Sequence, residues 1–199
     1  MEHLAGRACR WVRAVFLQLW AVSAMTLLSS GGLAASSWVI DRDASRLEFS
    51  VEVGGNSLKG RFVTFDADIR FEPSDPEAGS LSVTVDVGSL TTGDAQSGLT
   101  ARSSPWLAAR DHRQACFVAK GFRPLGGGRY SAAGALTLKG VEVPVVLEFA
   151  LAVEDGFARA QGTAVLDRVT FGVGPARSAA TPVGHQVTVS FTIVARAGE

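Results

Sequence analysis

From residue 45 onward, apolar and polar side chains alternate with a period of two almost without interruption. Leu47, Phe49, Val51 and Val53 interleave with Glu48, Ser50 and Glu52, and Phe65, Ala67, Ile69 and Phe71 with Asp66, Asp68 and Arg70. Leu81, Val83, Val85 and Val87 alternate with Ser82, Thr84 and Asp86, and Val187, Val189, Phe191 and Ile193 with Gln186, Thr188, Ser190 and Thr192. The longest row is Val143, Val145, Leu147, Phe149, Leu151 and Val153. Successive side chains of a strand point to opposite faces, so each row predicts a strand with one buried and one wetter side. Phe117 to Phe122, Arg129 to Leu138 and Phe157 to Leu166 are weaker candidates of the same kind. Phe62 and Phe65 lie three apart, a slip of phase that predicts a bulge or bend near Val63-Thr64.

Gly54-Gly55-Asn56, Pro73-Ser74-Asp75-Pro76, Gly126-Gly127-Gly128 and Glu154-Asp155-Gly156 supply turns between these rows. The count is about eight strands without intervening helices, which predicts an all-β, antiparallel, up-and-down barrel closed on itself. Alternation stops only from Asp94 to His112. A short helix or lid-like segment is expected there, with Gly93-Asp94 leading into its N-cap.

The first residues do not belong to this pattern. Arg7, Arg10 and Arg13 precede an uncharged run from Ala14 to Leu28, and Ser29-Ser30-Gly31-Gly32-Leu33-Ala34 follows. A basic flank, a short apolar core and a small-residue site are the marks of a secretory signal peptide. The run would cover only ~22 Å as a helix, short of the ~30 Å core of a bilayer. Residues 1–34 are therefore read as a signal peptide and 35–199 as one barrel domain, exported to the periplasm.

Charge and cysteine narrow the function. The whole chain balances 19 basic against 19 acidic residues, and no basic block stands out, so nucleic-acid binding has no electrostatic support. Beyond the leader Cys116 is the only cysteine, which predicts a domain held by packing, with that residue a small buried hydrophobe. The inward rows carry Leu, Val, Phe and Ile. An eight-stranded barrel is either filled by such side chains or holds one small guest, and any guest here would be apolar. One five-carbon isoprene unit could contribute up to ~3–4 kcal/mol at ~0.8 kcal/mol per buried methylene. A few units could hold a lipid without any polar contact.

Certain segments resemble a known family. Trp38-Val39-Ile40-Asp41 with Ser45-Arg46-Leu47-Glu48-Phe49 is similar to the opening of the YceI-like, lipocalin-like proteins. Gly60-Arg61-Phe62 with Phe65-Asp66-Ala67 resembles its second strand, and Ser89-Leu90-Thr91-Thr92-Gly93-Asp94 its Ser-x-x-Thr-Gly-(Asn/Asp) segment. Gly134 to Val141 with Pro144-Val145, then Leu166-Asp167-Arg168 and Phe171-Gly172-Val173-Gly174, complete an ordered set from Trp38 to about Ile193. The resemblance implies an eight-stranded periplasmic barrel with a long tunnel, binding a polyisoprenoid such as a polyprenyl lipid or an isoprenoid quinone, with no other cofactor required. It also implies a b-type cytochrome membrane protein or a membrane surface as a partner, and a homodimer stays open. This chain departs from the family where polar residues would meet a head group: Ser97-Gly98-Leu99-Thr100-Ala101 replaces an Arg-Asp-x-His-Leu run, Ala108 an Asp, and Lys139 a His.

Two histidines of the domain, His112 and His185, lack the Cys or Glu spacing of a metal site, and no Gly-x-Ser-x-Gly elbow is present. The expected tunnel residues are Phe49, Val51, Phe65, Phe71, Val83, Val85, Leu99, Trp106, Leu107, Phe117, Leu136, Leu138, Val145, Leu147, Phe149, Phe171 and Phe191. Arg102, Arg110 and Arg113 are the candidates for an anionic head group at the mouth. The leading expectation is a non-catalytic lipid carrier with residues 94–112 as its gate. The rivals are a stress-protective or interaction module with a filled core, and a hydrolase using His112 or His185.

Overall fold

The computed structural model describes residues 36–176 and 182–198; the expected signal peptide, residues 1–34, lies outside the described residues. Its strands are β1 (Ser37–Ile40), β2 (Arg46–Val53), β3 (Asn56–Phe62), β4 (Phe65–Arg70), β5 (Ser80–Asp86), β6 (Leu90–Thr92), β7 (Gln114–Lys120), β8 (Arg123–Gly126), β9 (Arg129–Leu138), β10 (Val141–Glu154), β11 (Phe157–Asp167) and β12 (Val183–Ala197). Among the described residues one α-helix, α1 (Ala95–Arg102), interrupts them.

Six of these strands are halves of three long, bent ones. β1 pairs with β4 and β2 with β3, while β4 pairs with β5 and β3 with β6, all antiparallel. The bends fall where the sequence changes phase. Between β3 and β4 the Val63 N–H donates to Ser89 O (3.3 Å), the Thr64 N–H to Ser89 Oγ (3.0 Å) and the Asp86 N–H to Thr64 O (3.0 Å). That is the bend expected, as bulge or bend, from the Phe62–Phe65 slip. Between β1 and β2 the Asp41 carboxylate accepts from the Asp43 and Ala44 N–H groups, both at 3.0 Å.

With the halves joined, and β8 a short strand that pairs only with β9 off the main path, the described residues form a closed eight-stranded barrel with antiparallel neighbours. β12 closes it, pairing with β11 along one edge and with both β2 and β1 along the other. Trp38 thereby stands opposite Ala197.

The barrel has one packed end. Phe71, Phe122 and Ala132 are buried there with Trp38, and Tyr130 and Phe149 pack against them. Phe71 meets Phe122 and Tyr130 edge-on, with ring centres 5.3 and 5.2 Å apart. The indole N–H of Trp38 donates to Phe71 O at 3.0 Å, so its polar atom is satisfied inside the plug. Each such ring contributes roughly 1.5–3 kcal/mol by leaving water. Gly162 makes this packing possible: a side chain on it would collide with Phe149 Cβ (2.9 Å), the Phe191 ring tip (2.7 Å) and the Glu148 carbonyl. Gly162→Ala is expected to destabilise the barrel by about 1–3 kcal/mol in urea unfolding; an unchanged midpoint would contradict this packing.

Cys116 differs from expectation. It points outward on β7, between the buried Ala115 and Phe117, and is half-buried rather than a fully buried small hydrophobe. Period-two geometry decides this, since Phe117 takes the inward position.

Candidate functional site

Above the aromatic plug the barrel is hollow. A cavity of about 570 Å³ lies within it, inside the ~300–1,000 Å³ range of small-molecule pockets. A smaller void of about 90 Å³ lies in the plug, bounded by Phe71, Phe122 and Phe149; Val83 and Ile193 border both spaces. The interior is thus hollow toward α1 and largely filled by aromatic rings at the far end.

Most expected tunnel residues meet in the large cavity. Phe49, Val51, Phe65, Val83, Val85, Trp106, Leu107, Phe117, Leu136, Leu138, Val145, Leu147, Phe171 and Phe191 all line it. Phe71 and Phe149 do not; they belong to the plug. Leu99 is a correction: it is 58% exposed and faces away. At 3.6 residues per turn, α1 turns Gln96, Ser97, Thr100 and Ala101 inward and leaves Leu99 on its outer face.

The three expected head-group cations have other surroundings. Arg110 and Arg113 are exposed. Arg102 folds back on its own helix, donating to Gly98 O and Gly88 O, both at 3.2 Å. None of the three lines the cavity.

The charged residue that does line it is Arg168, 5% exposed. Its Nε donates to Gly184 O (2.8 Å), Nη1 to Val173 O (2.8 Å) and Pro175 O (3.0 Å), and Nη2 to Val183 O (2.8 Å). Its guanidinium carbon lies 5.4 Å from the centre of the Trp106 ring. Of five N–H donors, these bonds use four, and no carboxylate forms an ion pair with it among the described residues. Burial lowers its pKa, opposed by the neighbouring Asp167 charge, yet an arginine in a protein keeps its proton. A formal positive charge therefore borders an apolar cavity. Its placement follows the period of β11: Ala164 and Leu166 face inward, and Arg168 is next in that series.

Trp106 is held against the loop after β11. A side chain on Gly174 would collide with its ring, 2.5 Å from Cε3, and Gly174 adopts a φ of +68°. Gly174→Ala is expected to cost about 1–3 kcal/mol and to shift Trp106 fluorescence; an unaltered spectrum would count against this contact.

α1 itself is fixed by Asp94, whose carboxylate accepts from the N–H groups of Ser97 (2.7 Å) and Gln96 (3.4 Å). The Ser97 hydroxyl and these two N–H groups hold its pKa below the ordinary 3.8. A depressed acid stabilises the fold above its unfolded value and loses that contribution as pH falls through the folded one. Amide exchange at Gln96 and Ser97 should therefore accelerate below pH ~4 relative to Asp94→Asn, which keeps a cap without the charge.

Among the described residues no three His, Cys, Asp or Glu side chains are placed to hold a metal ion. His185 is exposed, its Nε2 lying 2.8 Å from Ala176 O, and neither it nor His112 lines the cavity.

The YceI-like domain profile matches residues 38–195. A UPF0312 protein of Serratia proteamaculans is 33% identical over 125 residues, 61% of this chain and 65% of that protein's length. A UPF0312 protein of Vibrio cholerae is 31% identical over 151 residues, covering 70% of this chain and 78% of the relative. Among solved structures, BcnA of Burkholderia cenocepacia superposes with a TM-score of 0.73 at 26% identity, over 78% of this chain and 98% of that one. A polyisoprenoid binding domain from Saccharophagus degradans superposes with a TM-score of 0.63 at 15% identity, over 82% and 99%, a likeness of fold.

Proposed function

This chain belongs to the YceI-like family, and we propose that it binds and carries one long apolar lipid of isoprenoid type, a quinone or a polyprenyl lipid, without catalysing a reaction. The observation that carries this reading is the cavity of about 570 Å³, apolar along its length and polar only at Gln96, Ser97, Thr100 and Arg168. A hydrocarbon chain would gain ~0.8 kcal/mol per methylene on leaving water for such a wall. That suffices after the cost of ordering a flexible chain. The unbalanced charge of Arg168 favours an electron-rich head, a quinone carbonyl or a phosphate, at its end of the cavity, with the tail running toward the plug. The name of the Saccharophagus domain agrees with a lipid of this class. Residues 1–34 would direct the chain to the periplasm and be removed.

A filled-core interaction module is the rival, and the hollow upper barrel speaks against it. Purification from bacterial membranes, solvent extraction and mass spectrometry test the proposal. A co-purifying isoprenoid, or uptake of added quinone or polyprenol at about one per chain, is expected. A protein that is empty and takes up neither is incompatible with the carrier role.

A further inference from the structure

The barrel wall is not zipped throughout. β10 pairs with β11 only from Glu148, opposite Thr163, to Glu154, opposite Phe157. Beyond that point the segment Val141–Leu147 of β10 pairs with β9 alone, and Ala164–Asp167 of β11 with β12 alone. The two strands diverge toward the α1 end, leaving a seam roughly 13 Å long at ~3.3 Å per residue on the β11 side.

The sequence explains the opening. Pro144 lies within the unzipped part of β10, and a residue without an N–H is suited to an edge rather than to the middle of a sheet. Where Val146 and Val165 stand, the seam is also apolar from inside to outside. Val145 and Leu147 on one lip and Ala164 and Leu166 on the other line the cavity. The intervening outward residues, Val146 and Val165, are 56% and 60% exposed. The far end of the seam is bridged by Lys139 in the β9–β10 turn, whose ammonium donates to Gly172 O at 2.7 Å and Pro105 O at 3.4 Å. Those carbonyls belong to the two loops that cover the cavity.

We propose that the β10–β11 seam is a lateral portal through which the apolar chain of a lipid slides between cavity and surroundings, with Lys139 as its latch. This rests on the carrier reading above. Greasy lips let the tail pass sideways without unfolding α1, and the ammonium bridge releases two carbonyls when the loops part.

The test is a staple. Continuing the Glu148–Thr163 register by two residues sets Val146 opposite Val165. Val146→Cys and Val165→Cys are introduced together in a chain whose two native cysteines are serine, and closed by oxidation or by a short bismaleimide, with closure read by mass. The probe is a quinone with a decyl tail, followed by quenching of tryptophan fluorescence. The closed form should take up the probe at least tenfold more slowly than the open form, and release it as slowly when loaded before closure. Its final occupancy should be the same. Lys139→Met should speed both steps several-fold. Equal rates in closed and open forms would overturn the portal while leaving the carrier role standing, since binding itself would persist. Absence of uptake by the unmodified chain would instead remove the carrier role.

Discussion

Arg168→Met should lower the stability of this protein by about 3–5 kcal/mol, the largest effect expected of any single substitution here. The guanidinium gathers four backbone carbonyls from two separated stretches, Val173 and Pro175 on one side and Val183 and Gly184 on the other. Methionine fills much of the space but donates nothing, so those oxygens lose their partners; each unpaired buried acceptor costs about 1–3 kcal/mol, less where water can reach it. For a domain of this size the midpoint of thermal unfolding should fall by about 8–15 °C. Arg168→Lys should recover less than half of the loss, because a single ammonium cannot span carbonyls that the planar fork reaches at once. A loss below about 1 kcal/mol would mean that the loop is held by something else.

The second large effect concerns the cavity. Val85→Phe combined with Val189→Phe places two rings into the hollow part of the barrel, where both residues line the wall. Quinone or polyprenol binding should weaken at least tenfold, a change of about 1.4 kcal/mol or more. Unfolding stability should hold or rise, since the rings occupy space without breaking a hydrogen bond. Retained affinity in the double variant would place the lipid elsewhere. The pairing of the two readouts matters, as a variant that lost both would merely have misfolded.

Much of the barrel was legible because its physics is local. A strand with one wet face must alternate, so Phe49, Val85 and Leu147 betray their inward direction from their neighbours alone. The Phe62–Phe65 slip announced the bend for the same reason. Less legible was anything set by several strands at once. Phe71 and Phe149 have the right parity for the interior, but only the meeting of four rings with Trp38 turns one end into a plug. Leu99 misled because an apolar residue on a short helix carries no strand parity, and α1 turns its polar side to the cavity. Charge and nearness to the helix point to Arg102, Arg110 and Arg113; geometry engages one with carbonyls and leaves the others in solvent. Arg168 could have been found by extending the inward series Ala164 and Leu166 one step further. The divergence of β10 from β11 had a signal as well, in Pro144.

The closure of the ring by β12 has a consequence for how the molecule comes into being. Residues near the start of the domain and at its very end are direct neighbours, as Trp38 and Ala197 are. Such far-separated pairings are slow to form, because the intervening chain must first surrender its freedom. A growing polypeptide cannot complete the ring before its final strand has been made, so the nascent chain carries seven strands with raw edges and nothing to seal them. Closure of the barrel must therefore wait for the synthesis of β12, and a chain cut short by one strand should aggregate instead of settling into a smaller barrel.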